Sequence, residues 1–424
     1  MKTANVAEAV KSEHAVALLK QMYGENRVEE NAARYQLVAD GFAKEFGDKA
    51  FEFFSAPGRT EIIGNHTDHN GGRVIAGSID MDTIGAAYPN NSSVIRITSE
   101  GYDKEVVVDI NDLASVPKAQ GTVSLVAGMV EAIQKFGFKV AGFDAYVTTN
   151  VIRAAGVSSS ASFEMLVCSI INYFFNDGAM TYINYAKAGQ YAENVYWLKA
   201  SGLMDQLACA VGGPILLDFS DRENPKYEKV NFSFHDYDHH LVIVNTGKGH
   251  ADLSEEYSEI PMEMKEAAKA AGAELLCETT LDKVLANMDK IDNDRAILRA
   301  IHFFKENERV ERAAKAVEEK DGETVLKLLS ESGKSSWELL QNCYPIKAYT
   351  EQKISVALAL TDLFLEKLGK GICRIHGGGF AGVIMCVVPE EETENYVSYI
   401  SEFAGKENVY PMNIRAVGAV HIEK

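Results

Sequence analysis

The sequence predicts a two-domain chain in which helices and strands fall in separate runs, and three observations carry that expectation. Its 424 residues exceed the usual size of one domain. A 46% hydrophobic fraction is ample for a core. The hydrophobic pattern changes along the chain, from a strand-rich first half to a mainly helical stretch over about 252–368 and back to strands.

In order, the residues up to about Phe46 read as two amphipathic helices. The apolar run Phe51 to Phe54 reads as a strand feeding a functional loop, and Val74–Ile79, Thr83–Tyr88, Val94–Thr98 and Glu105–Val108 read as short strands. A helix over about Val123–Phe136 precedes a strand at Phe143–Thr148, then an apolar helix running to about Phe175 and another over Tyr182–Leu198. Strands follow at Pro214–Asp218 and Leu241–Asn245. After the helical stretch come strands at Ile372–Ile375 and Val383–Val388, a helix near Glu390–Ala404, and strands near Val409 and at Ile414–Val420. Charge runs such as Val317 to Asp321 read as solvated faces, and the first domain is expected to end near Ala210.

Forty-two basic against 61 acidic residues give a net charge of -19, which disfavours nucleic acid or an anionic membrane as partner. No stretch approaches the ~18 apolar residues of a spanning helix, and the N-terminus lacks a secretion signal's apolar core, so a cytoplasmic location is expected. The six cysteines are scattered without a Cys-x-x-Cys pair, as expected of reduced thiols.

Four segments carry chemistry. The first, Ser55 to Gly72, gathers Arg59, Asn65, His66 and Asp68 among glycines, a set of donors and acceptors suited to a small polyhydroxylated ligand. His66, Asp68 and His69 also admit a metal reading. It ranks low, because in an extended segment His66 and Asp68 converge while His69 faces away. The second, Ala154-Ala-Gly-Val-Ser-Ser-Ser-Ala161, places small residues and three serines at the start of a helix, where exposed N–H groups and the helix dipole favour phosphate. Serine hydroxyls there can add hydrogen bonds or a magnesium ligand. The third, Ser201-Gly-Leu-Met-Asp-Gln206, sets Asp205 in an apolar context where a carboxylate can accept or orient a hydroxyl proton. A buried, hydrogen-bonded aspartate is the plainer alternative. Glu193, twelve residues earlier on an expected helix, is a candidate magnesium ligand or an ordinary helix-surface carboxylate. The fourth is the glycine turn His376 to Gly382, which lets backbone approach a ligand.

Taken in order, these segments resemble the GHMP small-molecule kinases, and within them the galactokinases. Ala56-Pro-Gly-Arg-Thr-Glu-Ile-Ile-Gly-Asn-His-Thr-Asp-His-Asn-Gly-Gly72 is similar to their Ala-Pro-Gly-Arg-x-Asn-x-Ile-Gly-Glu-His-x-Asp-Tyr-x-x-Gly segment. The likeness continues through Gly156 to Ser162 with Glu164, Gln190 to Asn194, Ser201 to Gln206, Asn245-Thr246, His250, Leu253, Tyr257, Arg299 to His302, Glu306, Arg309 and Gly377 to Phe380. The resemblance implies an α+β two-domain GHMP kinase fold, with a ribosomal S5 domain 2-like part over 1–210 and a ferredoxin-like part over 211–424, the last strands free to return to the first. It implies ATP and Mg2+ as cofactors and galactose or a related aldose as partner. Asp205 and Arg59 would be catalytic. Asn65, His66, Asp68, Gly202 and Tyr257 would surround the sugar; Gly156, Ser158, Ser159 and Ser160 would cradle phosphate; and Ser160 and Glu193 would hold magnesium.

Several residues depart from the family pattern. Asn65 stands where galactokinases usually carry a glutamate facing the sugar's C6 hydroxyl, Glu61 replaces their asparagine, and His69 their tyrosine. Ile152 replaces a proline and Ala154 a glycine. Gly249 sits where a basic residue is common, with Lys248 beside it. The leading expectation is therefore ATP-dependent formation of galactose 1-phosphate. The alternatives are a kinase for another aldose, to which Asn65 points, and a noncatalytic galactose-sensing regulator.

Overall fold

The computed structural model describes residues 6, 12–119, 121–153, 156–199, 201–246, 254–380 and 382–422. Ala154 and Ala155 of the phosphate segment, and Lys248, Gly249, His250 and Leu253, lie outside the described residues. In chain order the elements are α1 (Glu13–Tyr23), α2 (Val28–Phe46), β1 (Glu52–Ile63), β2 (Arg73–Pro89), β3 (Val94–Ser99), β4 (Val106–Asp109), α3 (Gly121–Lys135), β5 (Phe143–Thr149), α4 (Ser159–Asn176), α5 (Tyr182–Tyr191), α6 (Met204–Val211), β6 (Pro214–Asp218), β7 (Lys226–Lys229), β8 (His239–Asn245), α7 (Ser254–Ala270), α8 (Leu281–Leu285), α9 (Asp294–Glu318), α10 (Gly322–Ser335), α11 (Lys353–Leu368), β9 (Ile372–Ile375), β10 (Val383–Pro389), α12 (Thr393–Ala404), β11 (Val409–Met412) and β12 (Val420–Ile422).

Two sheets organise these elements. The first runs β12-β1-β2-β5-β3-β4, with β6 paired to β2 and β7 to β6; only β3 and β5 are parallel. The second runs β11-β8-β10-β9, all antiparallel. Numbered along the chain, its spatial order is 4-1-3-2, the ferredoxin-like arrangement. β6 and β7 therefore extend the first sheet past the boundary expected at residue 210.

Alternation along the strands explains why both sheets are covered on two sides. Phe54 joins the core shared with Leu125, Val130, Leu166 and Ile170 of α3 and α4, while Phe53 faces Tyr35 and Phe42 of α2. In β10, Met385 and Val387 pack with Leu328 and Leu329 of α10, and Ile384 and Cys386 pack with α11 and α12. The first of these clusters also takes Ile62, Ile75 and Ile79, so the two sheets share one apolar seam.

Four expectations need correction. The strand that feeds the first chemical segment does not stop at Phe54; β1 continues to Ile63. Register shifts at Pro57/Arg59 and Glu61/Ile63 absorb the proline and glycine, so Arg59 and Glu61 sit on a strand. The two short strands expected at 74–79 and 83–88 form one, because their polar junction is neutralised from outside the sheet. Asp80 pairs with Arg27 at 2.8 Å, and the fully buried Asp82 with Arg34 and Arg415, each at 2.8 Å. Burial raises the Asp82 carboxyl's pKa, but the two guanidinium charges outweigh it and hold it below the ordinary range. Residues 414–419 are not a strand. Ile414 makes an isolated bridge to Ile79, and successive backbone bonds then go to Ser78, Gly213 and Ala210 in turn, so no ladder forms. The polar strand β7, Lys-Tyr-Glu-Lys, has no apolar alternation to announce it.

Candidate active site

Asp205 enters on the first turn of α6, and β1 brings Arg59 to it. Arg59 Nε and Nη2 both donate to Asp205 Oδ1, at 2.8 and 2.7 Å. Nη1 donates to the Gly156 carbonyl, and the Arg59 backbone N–H donates to Val157 O at 3.1 Å, so one arginine ties the phosphate segment to the aspartate. The Ser158 hydroxyl donates to Asp205 Oδ2. Burial pushes the Asp205 carboxyl up, yet Arg59's charge and the Ser158 hydrogen bond prevail and keep it below the ordinary range. Asp205 is thus a preserved anion, a third exposed beside an almost covered arginine.

The phosphate segment turns sharply into α4. Gly156 has φ +65° and Ser158 φ +58°, and Ser158 stands at the helix N-cap without a side-chain cap bond, its hydroxyl donating to Asp205. Ser159 and Ser160 open the helix, leaving first-turn N–H groups for an anion. Ser160 Oγ donates to Glu193 Oε1 at 2.9 Å. Glu193 is 2% exposed, not a surface carboxylate, because a π-helical turn over Ala192–Tyr196 redirects it inward. Lys199 Nζ lies 3.3 Å from Glu193 Oε1, and the Ser201 hydroxyl donates to Oε2. Beneath them Glu164 is fully buried; its carboxyl is pushed well up by burial and then by Glu193's charge.

The loop after β1 holds the remaining candidates. Asp68 approaches Gly202 so closely that a Cβ there would lie 2.6 Å from its Oδ2. Burial, then Glu61's charge and more weakly that of Asp205, push the Asp68 carboxyl up to about 6, with hydrogen bonds from backbone N–H groups acting against them. His66 Nε2 donates to Gly378 O at 2.8 Å, which leaves Nδ1 as acceptor toward His69 Nε2 at 3.4 Å. His69 does not face away. His66 has φ +59° and residues 68–70 form a 3-10 turn, so the segment is not extended and the alternation that would turn His69 away does not apply. Among the described residues no group of three or more His, Cys, Asp or Glu could hold a metal ion. The Tyr257 hydroxyl donates to Gly379 O at 2.9 Å, and its ring packs so closely that a Cβ on Gly378 would lie 2.3 Å from it.

Asn65, expected beside the sugar, has no exposed surface. Its Nδ2 donates to Gly377 O at 2.6 Å and to Glu61 Oε1 at 3.1 Å; its Oδ1 accepts from Asn342 Nδ2 at 2.9 Å and Ser336 Oγ at 3.3 Å; its carbonyl accepts from His302 Nε2 at 2.8 Å. Glu61 in turn pairs with the fully buried Arg374 at 2.8 Å. Sequence reasoning missed Arg374 and Asn342. Arg374 did leave a signal, a lone cation among Ile372, Cys373 and Ile375 that demanded a buried partner.

This fold and this disposition of a serine-rich phosphate segment against an arginine-held aspartate define the GHMP kinase class, and comparison with known proteins agrees. The GHMP kinases N terminal domain matches residues 124–213, and the galactokinase galactose-binding signature matches residues 40–89. The galactokinase of Clostridium tetani is 30% identical over 367 residues, spanning 85% of this chain and 90% of that protein. That of Lactococcus lactis is 31% identical over 392 residues, spanning 91% and 95%. The crystal structure of Lactococcus lactis galactokinase complexed with galactose superposes with a TM-score of 0.78 at 26% identity, over 92% of this chain and 99% of that one. Methanococcus jannaschii mevalonate kinase, at 16% identity and a TM-score of 0.61 over 87% and 99%, shares the fold. The chain belongs to the galactokinase family.

Proposed function

We infer that the protein transfers the terminal phosphoryl group of ATP to the anomeric hydroxyl of galactose, giving galactose 1-phosphate and ADP. The single observation that carries this reading is the Asp205 carboxylate, fixed as an anion by Arg59 at 2.8 Å beside the opening of α4. Asp205 accepts or orients the anomeric hydroxyl's proton, and Arg59 steadies that anion and the charge that builds during transfer. The first-turn N–H groups after Gly156, with Ser158, Ser159 and Ser160, hold phosphate oxygens. His66, Asp68, Gly202 and Tyr257 border the sugar, with Asp68 accepting from ring hydroxyls.

The donor set suits magnesium. Ser160 and Glu193 offer a hydroxyl and a carboxylate 2.9 Å apart, two hard oxygens of the kind that share Mg2+ with substrate phosphates. When bound, the ion would neutralise charge on the transferring phosphate oxygens. We further infer two domains meeting at this cleft. Among the described residues no helix is long and apolar enough to cross a membrane, and with six free thiols that supports a cytoplasmic reaction.

A panel of aldoses incubated with ATP and Mg2+ tests the substrate. Galactose is expected to give the highest kcat/KM; robust turnover of another aldose with none of galactose would overturn the assignment.

A further inference from the structure

Two of the positions at which this chain departs from the galactokinase pattern touch each other. The family carries asparagine at position 61 and glutamate at 65; here the two residue types are exchanged, and Asn65 Nδ2 lies 3.1 and 3.3 Å from the two Glu61 oxygens. One carboxylate and one amide therefore remain in a single buried contact, and the added carbon at 61 is offset by the lost one at 65. Asn65 has no capacity left for a ligand, since its NH2 faces a carboxylate and a carbonyl and its oxygen takes two donors. Glu61 keeps some. Its Oε1 accepts from Arg374 and Asn65, whereas among the described residues Oε2 receives only the 3.3 Å contact from Asn65.

Glu61 also stands in the right company. Residues two apart on a strand share a face, so Glu61 projects on the side of Arg59. Its charge is felt at Arg59, His66 and Asp68, all candidates for the sugar cleft.

We propose that Glu61 is a specificity-determining residue of the sugar site, supplying the carboxylate that the family carries at position 65, with Asn65 as the amide that fixes it. The ligand chemistry is a hydroxyl on the sugar carbon remote from the anomeric centre. Arg374 holds Glu61 Oε1 at 2.8 Å and Asn342 fixes the Asn65 amide, so the acceptor is oriented before the sugar arrives. The exchange moves the carboxylate four residues along the chain without removing it, and discrimination at that hydroxyl persists.

The proposal rests on the galactokinase reading, and wild-type turnover of galactose is the control that separates the two. The test compares Glu61→Gln, Glu61→Asn, Asn65→Glu and the exchanged pair Glu61→Asn/Asn65→Glu, each with galactose and 6-deoxygalactose, with ATP KM and thermal unfolding measured alongside. A charged hydrogen bond to a substrate hydroxyl carries roughly 10-fold or more in discrimination, so Glu61→Gln is expected to narrow the preference for galactose about 10-fold at unchanged ATP KM. Asn65→Glu sets two carboxylates in contact and is expected to raise galactose KM at least ~10-fold, and the exchanged pair to recover most of that loss. Equal losses on both sugars in Glu61→Gln, or an exchanged pair as impaired as the product of the single changes, would overturn it. The exchanged pair also decides the question if Glu61→Gln fails to fold.

Discussion

Asp68, a proposed sugar ligand, shows how one residue can set binding against stability. Its carboxyl, pushed up to about 6 by burial and by Glu61's charge, ionises at a cost in the folded protein that the unfolded chain does not bear. The native state therefore binds more protons than the unfolded chain between about pH 4 and 6, and the stability present below that window is lost as pH rises through it. Asp68→Asn removes the costly charge. It is expected to raise the melting temperature above pH 6, to leave it near wild type at pH 4, and to raise galactose KM by roughly 10-fold through loss of a charged acceptor. A melting-temperature gain that is equal at both pH values would contradict the assignment. Arg59, His66, Asp68 and Asp205 were legible because polar groups beside glycines in an apolar setting have few structural uses. The Glu61–Asn65 contact was not, since its supports, Asn342 and Arg374, lie some 280 and 310 residues further along the chain.

At the level of elements, periodicity found most helices and most strands but not α6, and it failed elsewhere where a side chain from another segment changed the local balance. β2 looked broken at Asp80 and Asp82 because no local feature announces Arg27, Arg34 and Arg415. For Glu193 a helix-surface reading stood beside the magnesium one because a π-helical turn leaves no mark in hydrophobic spacing. Gly58 was legible as a glycine, but its purpose is tertiary: a Cβ there would lie 2.6 Å from Val157 O, a backbone atom of the phosphate segment. Gly58→Ala is therefore expected to push that segment off β1 and strain the 3.1 Å bond from Arg59 N–H to Val157 O. Overpacking of this kind costs about 1–3 kcal/mol. Steady-state kinetics should show ATP KM raised severalfold with galactose KM moving less; the reverse split would mean that the segment does not contact ATP.

Over the whole molecule, chemistry depends on two sheets held at one seam. The first sheet supplies Arg59 and Glu61 on β1, while the second supplies Arg374 on β9 and the His376 to Phe380 turn that grips His66, Asn65 and Tyr257. The chain then returns, and Arg415 locks onto Asp82 before β12 closes the edge of β1. The return was legible as an apolar C-terminal run, and its irregular path was not, because its partners alternate between segments. The central claim is the proposed one, that the Asp205 anion held by Arg59 stands where a sugar hydroxyl and a phosphate donor meet. Product analysis by phosphorus NMR, with galactose, ATP and Mg2+ and with wild type beside Asp205→Asn, tests it most directly. Wild type should yield galactose 1-phosphate and ADP in equal amounts, and Asp205→Asn should bind galactose yet form product roughly 10²–10⁴-fold more slowly. Absence of galactose 1-phosphate from wild type, or an undiminished rate in Asp205→Asn, would contradict it.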